Sequence, residues 1–253
     1  MNVKKTLIFL ALIFSLLVFS SARFTVAPSY PCIKVTPETI LLEAVPIGTT
    51  FEVSIYTDYT GSDVYSWQFE LTFNPAVLEG VSVENGNLIT TAKHSSARYS
   101  SQGFNNTAGR LKLTMAYFYY VAPSTPFTTS GPGILANATF SVKGYGMSEL
   151  TLVDTTQVVR LQGFDTVLEE PYDVINGFFM PYNLGHGYFR NSIEGDANLD
   201  QTVNVFDILA VKSRWGSTPA DPDWIREYDV NDDAAINVFD ILTVKANWGS
   251  TYP

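Results

Sequence analysis

Cysteine is nearly absent from this chain of 253 residues. Cys32 stands alone, so no disulfide can close within the chain and a cross-linked scaffold is excluded; the expectation for it is a half-buried thiol. Histidine is scarce as well: His94 and His186 lie far apart, with no nucleophile motif beside either. Basic residues are outnumbered, 15 Lys and Arg against 25 Asp and Glu, for a net charge of −10. That balance argues against nucleic acid as a partner, because phosphate binding needs basic patches. No G-x-S-x-G, phosphate loop or metal-hydrolase spacing occurs. Glu169-Glu170 invites a hydrolase reading, but neighbouring strand residues point to opposite faces. No catalytic residue emerges, and the chain reads as a non-enzyme. Long apolar runs are limited to residues 7–19, broken only by Ser15. Lys4 and Lys5 precede this run, and Ser20, Ser21 and Ala22 follow it. The run is short of the roughly 20 residues that span a bilayer. Residues 1–27 therefore read as a secretory signal peptide cleaved after Ala22 or Ala27. The expectation is a protein that is secreted, extracellular or attached to a cell surface, with no stable membrane span.

What is present is unevenly placed. From Glu194 onward there are eleven Asp or Glu and four Lys or Arg, and the change of composition sets a boundary near residues 181–194. Beyond it one acidic stretch is written twice, GDANLDQTVNVFD at 195–207 and YDVNDDAAINVFD at 228–240. Counted from its first Asp, the first copy puts Asp196, Asn198 and Asp200 at positions 1, 3 and 5, Thr202 at 7, Asn204 at 9 and Asp207 at 12. The second puts Asp229, Asn231 and Asp233 at 1, 3 and 5, Ala235 at 7, Asn237 at 9 and Asp240 at 12.

Side-chain oxygens at 1, 3, 5 and 12, a backbone carbonyl at 7 and a water held by 9 are what a hard cation takes from a tight loop. Calcium fits such a flexible oxygen cage better than magnesium does, and neither loop has the His or Cys that zinc prefers. Two Ca2+ ions are expected, one per loop. Three carboxylates crowd each loop, and like charges a few ångströms apart cost about 1 kcal/mol even in water, so ion binding and folding should be coupled here. One feature departs from the usual loop. Position 6 needs a positive φ and favours glycine, yet Gln201 and Ala234 occupy it. The apolar residues at position 8, Val203 and Ile236, suit loops that pair back to back.

The residues after each loop repeat as well. VNVFDILAVKSRWGST (203–218) and INVFDILTVKANWGST (236–251) share 12 of 16 positions. Each predicts a helix that starts near the last Asp of its loop and stops at Gly216 or Gly249. Ile208, Val211 and Trp215 fall on one face at helical spacing, as do Ile241, Val244 and Trp248, and read as the core of a small all-α domain. Phe206 and Leu209, with Phe239 and Leu242, lie on another side.

Between the signal and the repeats, period two dominates. Phe51, Val53 and Ile55 alternate with Glu52 and Ser54. Trp67, Phe69, Leu71 and Phe73 alternate with Gln68, Glu70 and Thr72. Leu111, Leu113, Met115 and Tyr117 form a third such set, and Ala136, Ala138, Phe140 and Val142 a fourth. Turn residues punctuate them at Asn74-Pro75, Asn85-Gly86 and residues 131–133 and 144–146. Many short half-buried strands make a two-sheet antiparallel sandwich. Asn105 and Asn137 head N-glycosylation sequons. The run Tyr117, Phe118, Tyr119, Tyr120 offers rings to a sugar or to the core.

The stretch from Val45 to Leu88, with 108–118 and 131–154, resembles a cohesin module. The likeness lies in a Gly before a strand, a Trp-bearing strand ending in Asn-Pro, a Val-Leu-Glu and a Gly turn. The segment from Gly195 to Gly249 resembles a dockerin. The fold implied is mainly β: a jelly-roll-like sandwich over 28–182, residues 183–194 as linker or final strand, and an all-α domain over 195–253 with two EF-hand-like loop–helix repeats. The resemblance implies that positions 10 and 11 of the loops, Val205-Phe206 and Val238-Phe239, help select a cohesin-bearing partner. Leu209 and Leu242 extend that surface, though core packing stays open to these residues. The sandwich would bind a dockerin-bearing protein or, alternatively, polysaccharide. The function expected is an adaptor in an extracellular, polysaccharide-related assembly, with a carbohydrate-binding module delivered by a dockerin as the other reading.

Overall fold

Alternating apolar and polar residues place the strands, and turn chemistry ends them. The computed structural model describes residues 32–58, 64–88, 98–117, 132–153, 157–160, 164–165, 170–171, 178–179 and 183–252. All of these belong to one compact unit, Pro31–Pro253. Residues 1–27, His94, Glu169 and residues 118–120 of the aromatic run lie outside the described residues.

In chain order the strands are β1 (Cys32–Thr36), β2 (Thr39–Leu42), β3 (Thr50–Thr57), β4 (Val64–Thr72), β5 (Leu78–Asn85), β6 (Arg98–Asn105), β7 (Arg110–Tyr117), β8 (Gly133–Val142) and β9 (Gly146–Leu152). Short strands follow: β10 (Gln157–Arg160), β11 (Phe164–Asp165), β12 (Glu170–Pro171), β13 (Phe178–Phe179), β14 (Asn183–Gly185) and β15 (Gly187–Asn191). One sheet runs β14-β1-β3-β8-β5. The other runs β13-β10-β4-β9-β15-β2, with β7 added to β4 and β6 to β7; β11 and β12 pair separately. Pairing is antiparallel except where β14 joins β1 and β15 joins β2, both parallel. The segment 183–191 is thus strand on both sheets.

Trp67, Phe69 and Leu71 of β4, Leu111 and Leu113 of β7, and Ala136, Ala138, Phe140 and Val142 of β8 are all buried between the sheets. Where β8 meets β3 the register slips, pairing Ile55 with Ala136 but Tyr56 with Ile134. That bulge lets Leu135 be buried beside Ala136. Phe140 is the hub of the core, with ring centroids at 5.2 Å from Phe73, 5.3 Å from Phe104 and 5.8 Å from Phe51. Glu70 sits on the outer face, as its alternation requires, yet it is buried. Arg110 and Lys112 fold over it, each with a nitrogen 2.9 Å from a carboxylate oxygen.

Residues 192–195 carry the chain from β15 straight into the first acidic loop. Helix α1 (Val205–Ser213), a single 3-10 turn (Arg226–Tyr228) and helix α2 (Val238–Ala246) complete the fold. A second, smaller core holds them together: Ala197, Val203, Val211, Val230, Ile236 and Val244 are buried, with Ile208, Ile241, Trp224 and Ile193 packed against them.

Candidate functional site

Each acidic loop is shaped by its own carboxylates. In the first, the two oxygens of Asp196 accept the backbone N–H groups of Asp200 and Gln201, both at 3.1 Å. Asp200 accepts from Thr202 N–H at 3.0 Å. Asp207 reaches back across the loop to accept from Asn198 N–H at 3.2 Å and Asn204 N–H at 2.7 Å. The second loop repeats the set. Asp229 accepts from Asp233 and Ala234, Asp233 from Ala235, and Asp240 from Asn231 and Asn237, with Val230 N–H as one donor more.

The last Asp of each loop also starts a helix. Asn204 caps α1 by accepting from Phe206 N–H, while Asp207 at the third helical position accepts from the cap's own N–H. Asn237 and Asp240 do the same for α2, and the two caps have the same backbone angles, φ −153° and ψ −161°. Such reciprocal capping satisfies donors that a helix start leaves free, and a carboxylate there complements the positive end of the helix dipole.

These carboxylates are held out of water. Asp196, Asp207, Asp229 and Asp240 are all buried, and among the described residues none of them pairs with a Lys or Arg. Burial pushes the Asp229 carboxyl up to about 6, against the pull of its backbone N–H donors and with a further push from Asp240 and Asp233. Burial likewise raises Asp207 and Asp240. Acidic groups set apart from solvent and without a basic partner favour a bound cation. A carboxylate has about four lone-pair sites, so the backbone contacts leave acceptor capacity over. Among the described residues no three His, Cys, Asp or Glu side chains converge on one point. A cation in either loop would therefore need the Asn oxygens and the position-7 carbonyl too. That all-oxygen set suits calcium and not zinc.

Backbone angles follow the same rule in both loops. Positions 4 and 6 are left-handed: φ is 58° at Leu199 and 70° at Gln201, 56° at Asp232 and 64° at Ala234. The position that favours glycine is thus left-handed here without one. Position 8 differs from the expectation of loops paired back to back. Val203 N–H donates to Ser250 and its carbonyl accepts from Gly249, while Ile236 exchanges the same bonds with Ser217 and Gly216. Each loop is stitched to the end of the other helix, and both side chains fill the small core.

Two further expectations are corrected. The helices do not run to Gly216 and Gly249 but end at Ser213 and Ala246. Trp215 and Trp248 therefore lie past the last helical turn, and each is 53 % exposed instead of joining the core. Val205, Phe206 and Leu209 on one helix, and Val238, Phe239 and Leu242 on the other, are exposed as well, so packing in the core does not account for them. The result is two copies of one apolar surface.

Elsewhere, Asn105 is exposed at the end of β6, its side chain accepting from Ala108 N–H of the turn that follows. Asn137 is half-buried on β8 and accepts from the Ser54 hydroxyl at 2.7 Å. His186 accepts from Leu152 N–H and is part of the sandwich framework. Cys32 is half-buried on β1, and burial raises its thiol pKa. Sequence reasoning passed over Arg190, Arg226 and Tyr252, which join the two cores. Arg226 had one distinguishing mark, being the one basic residue between Arg214 and Lys245.

A β-sandwich that leads directly into paired acidic loop–helix units defines a class of interaction protein. Residues 41–163 match the cohesin domain and residues 194–247 the dockerin type I domain. The chain carries a cohesin domain followed by a dockerin type I domain. Both are non-catalytic interaction modules of cellulosome type, and type I dockerin domains bind calcium. No curated protein matches the chain. Similar solved structures include the seventh ScaB type I cohesin from Pseudobacteroides cellulosolvens, at 16% identity, 65% of this chain, 94% of that one and a TM-score of 0.46. A non-cellulosomal cohesin from the hyperthermophilic archaeon Archaeoglobus fulgidus is similar at 18% identity, 67% and 96% coverage and a TM-score of 0.43. So is the sixth cohesin of scaffoldin B from Acetivibrio cellulolyticus, in complex with a mutant dockerin, at 16%, 65% and 100%, and 0.45. Among the described residues no helix is long and apolar enough to cross a membrane, which says nothing of a membrane β-barrel.

Proposed function

We propose that this chain is a secreted adaptor without catalytic activity that links partner proteins outside the cell. Residues 1–27 direct export. Residues 195–253 take up two Ca2+. One site is formed by Asp196, Asn198, Asp200, the Thr202 carbonyl, Asp207 and a water on Asn204. The other is formed by Asp229, Asn231, Asp233, the Ala235 carbonyl, Asp240 and a water on Asn237. The folded tail docks on a cohesin-bearing protein through Val205, Phe206 and Leu209 or through Val238, Phe239 and Leu242. The sandwich in turn receives a dockerin-bearing protein, so that chains build an extracellular assembly. Of the two sequons, Asn105 is the better placed for a glycan, since Asn137 is half-buried.

The observation that carries this reading is the pair of apolar helix surfaces, alike in sequence and exposure, each starting at a buried carboxylate that an ion would neutralise. Interfaces concentrate their energy in such exposed aromatic and aliphatic anchors. The test uses the full chain on a sensor surface. Cohesin-bearing and dockerin-bearing proteins are passed over it in millimolar calcium and then in chelator, with insoluble polysaccharide pull-down as a parallel arm. Calcium-dependent capture of a cohesin supports the adaptor. Retention by polysaccharide, with neither protein captured, overturns it in favour of a carbohydrate-binding module.

A further inference from the structure

The two cores of this chain meet at a specific polar contact, and that contact grips a calcium loop. Arg226, in the 3-10 turn between the helices, lies with its guanidinium carbon 3.9 Å from the ring centroid of Tyr188 on β15. The same guanidinium donates to the Thr39 hydroxyl of β2 at 3.1 Å and to the Asp232 carboxylate at 3.2 Å. Asp232 is position 4 of the second loop, one of its left-handed residues. Beside it Arg190, a buried side chain of β15, donates to the carbonyl of Val230, position 2 of that loop, at 3.3 Å. The sandwich edge therefore holds the second loop at two places next to its first ligand, Asp229. The first loop has Ala197 and Leu199 at those positions. It meets the sandwich through Tyr252 instead, whose hydroxyl donates to Asp196 and whose ring packs edge-on against Tyr145 at 4.8 Å.

None of these contacts falls on the twin helix surfaces. Phe206 and Phe239 keep near-equal exposure, so the sandwich takes a third face of the small domain and leaves both partner surfaces open. Residues 192–195 leave little slack for the two parts to separate.

We propose that the loop domain is docked in cis on the β2–β15 edge of its own sandwich, and that Arg226 is a positioning residue through which this edge tunes calcium binding in the second loop. This rests on the calcium reading above. A planar guanidinium with several fixed donors suits such a role, because it can stack and donate to both sides at once. Free-energy coupling between two sites is reciprocal: if the sandwich edge holds the loop in its ion-ready shape, calcium in the loop must tighten the edge.

The test uses the full chain and two substitutions that keep the net charge, Arg226→Lys and Thr39→Val. Any change in calcium affinity then reports geometry and not Coulomb attraction. Titration calorimetry with calcium should show one of the two sites weakened about threefold or more in each variant and the other unchanged. Hydrogen exchange should show β2 and β15 gaining protection on calcium addition in the unaltered chain and gaining less in Thr39→Val. Thr39 sits outside both loops, so a purely local role for Arg226 would not move that readout. If the unaltered chain takes up no calcium, the calcium reading falls and this proposal with it. If calcium binds and both variants match the unaltered chain in affinity and protection, the coupling alone is overturned.

Discussion

Phe206 and Phe239 stand two residues past Asn caps of the same geometry, on two copies of one helix, and are exposed to 60 % and 59 %. Cap geometry and exposure rank neither above the other. A partner that docks on either surface has two equal ways to bind. Removing one leaves the other, and loss of half the states weakens affinity only about twofold. Phe206→Ala and Phe239→Ala should each show that small effect on cohesin binding, while the double variant should lose roughly a hundredfold or more, the scale of a central aromatic anchor. Either single variant losing all affinity would rule out the two-way mode.

The left-handed residues at position 6 give a prediction in the opposite direction. Gln201 and Ala234 hold φ of 70° and 64°, where a Cβ is disfavoured by about 1 kcal/mol. Gln201→Gly and Ala234→Gly should therefore each raise calcium affinity several-fold in calorimetry. A loss of affinity in both would mean that these side chains contribute something the backbone angles do not reveal.

Much of this was legible in the sequence, and the misses have physical causes. Period-two alternation located β3, β4, β7 and β8 because a sheet buried on one face leaves no other solution. The loops were legible because their Asp and Asn residues recur in register. Trp215 and Trp248 were misplaced because helical spacing holds only while the helix lasts, and both helices end two residues short of them. Glu70 alternates as an exposed residue and is covered by Arg110 and Lys112, side chains from a neighbouring strand that no local pattern can bring over it. The contact of Arg226 with Tyr188 depends on how two cores are placed in space, which neither periodicity nor spacing encodes.

The hub of the sandwich sets its stability. Phe140 is fully buried among Phe51, Phe73 and Phe104. Removing such a ring forfeits both its burial and the contacts of a cavity that cannot collapse, about 3–5 kcal/mol. Phe140→Ala should lower the unfolding free energy of the sandwich by that amount, read from the fall in its denaturant midpoint. A cost below about 1 kcal/mol would show that the core closes around the gap.

The small core tells a different story. Its buried apolar members are Ala, Val and Ile, and four buried carboxylates work against it. A domain of this size is marginal on burial alone. Chelator should remove the helical circular dichroism of α1 and α2 while the β signal of the sandwich persists, and millimolar calcium should restore it. An unchanged helical signal in chelator would break the link between ion and fold.

Protons offer an independent handle on the same carboxylates. In the calcium-free chain Asp229 is raised from 3.8 to about 6, chiefly by burial, so the folded loop binds a proton more tightly than the unfolded one. Stability then rises as pH falls through 6 and levels off below about 4, where both states are protonated. Asp207 and Asp240 shift in the same direction. In calcium the sign reverses, because the proton and the ion compete for the same oxygens. Helical signal lost to chelator at pH 7 should therefore partly return at pH 5, while calcium affinity weakens over the same interval. A chelated chain that loses further helix on acidification would show that these carboxylates are not the groups that limit its folding.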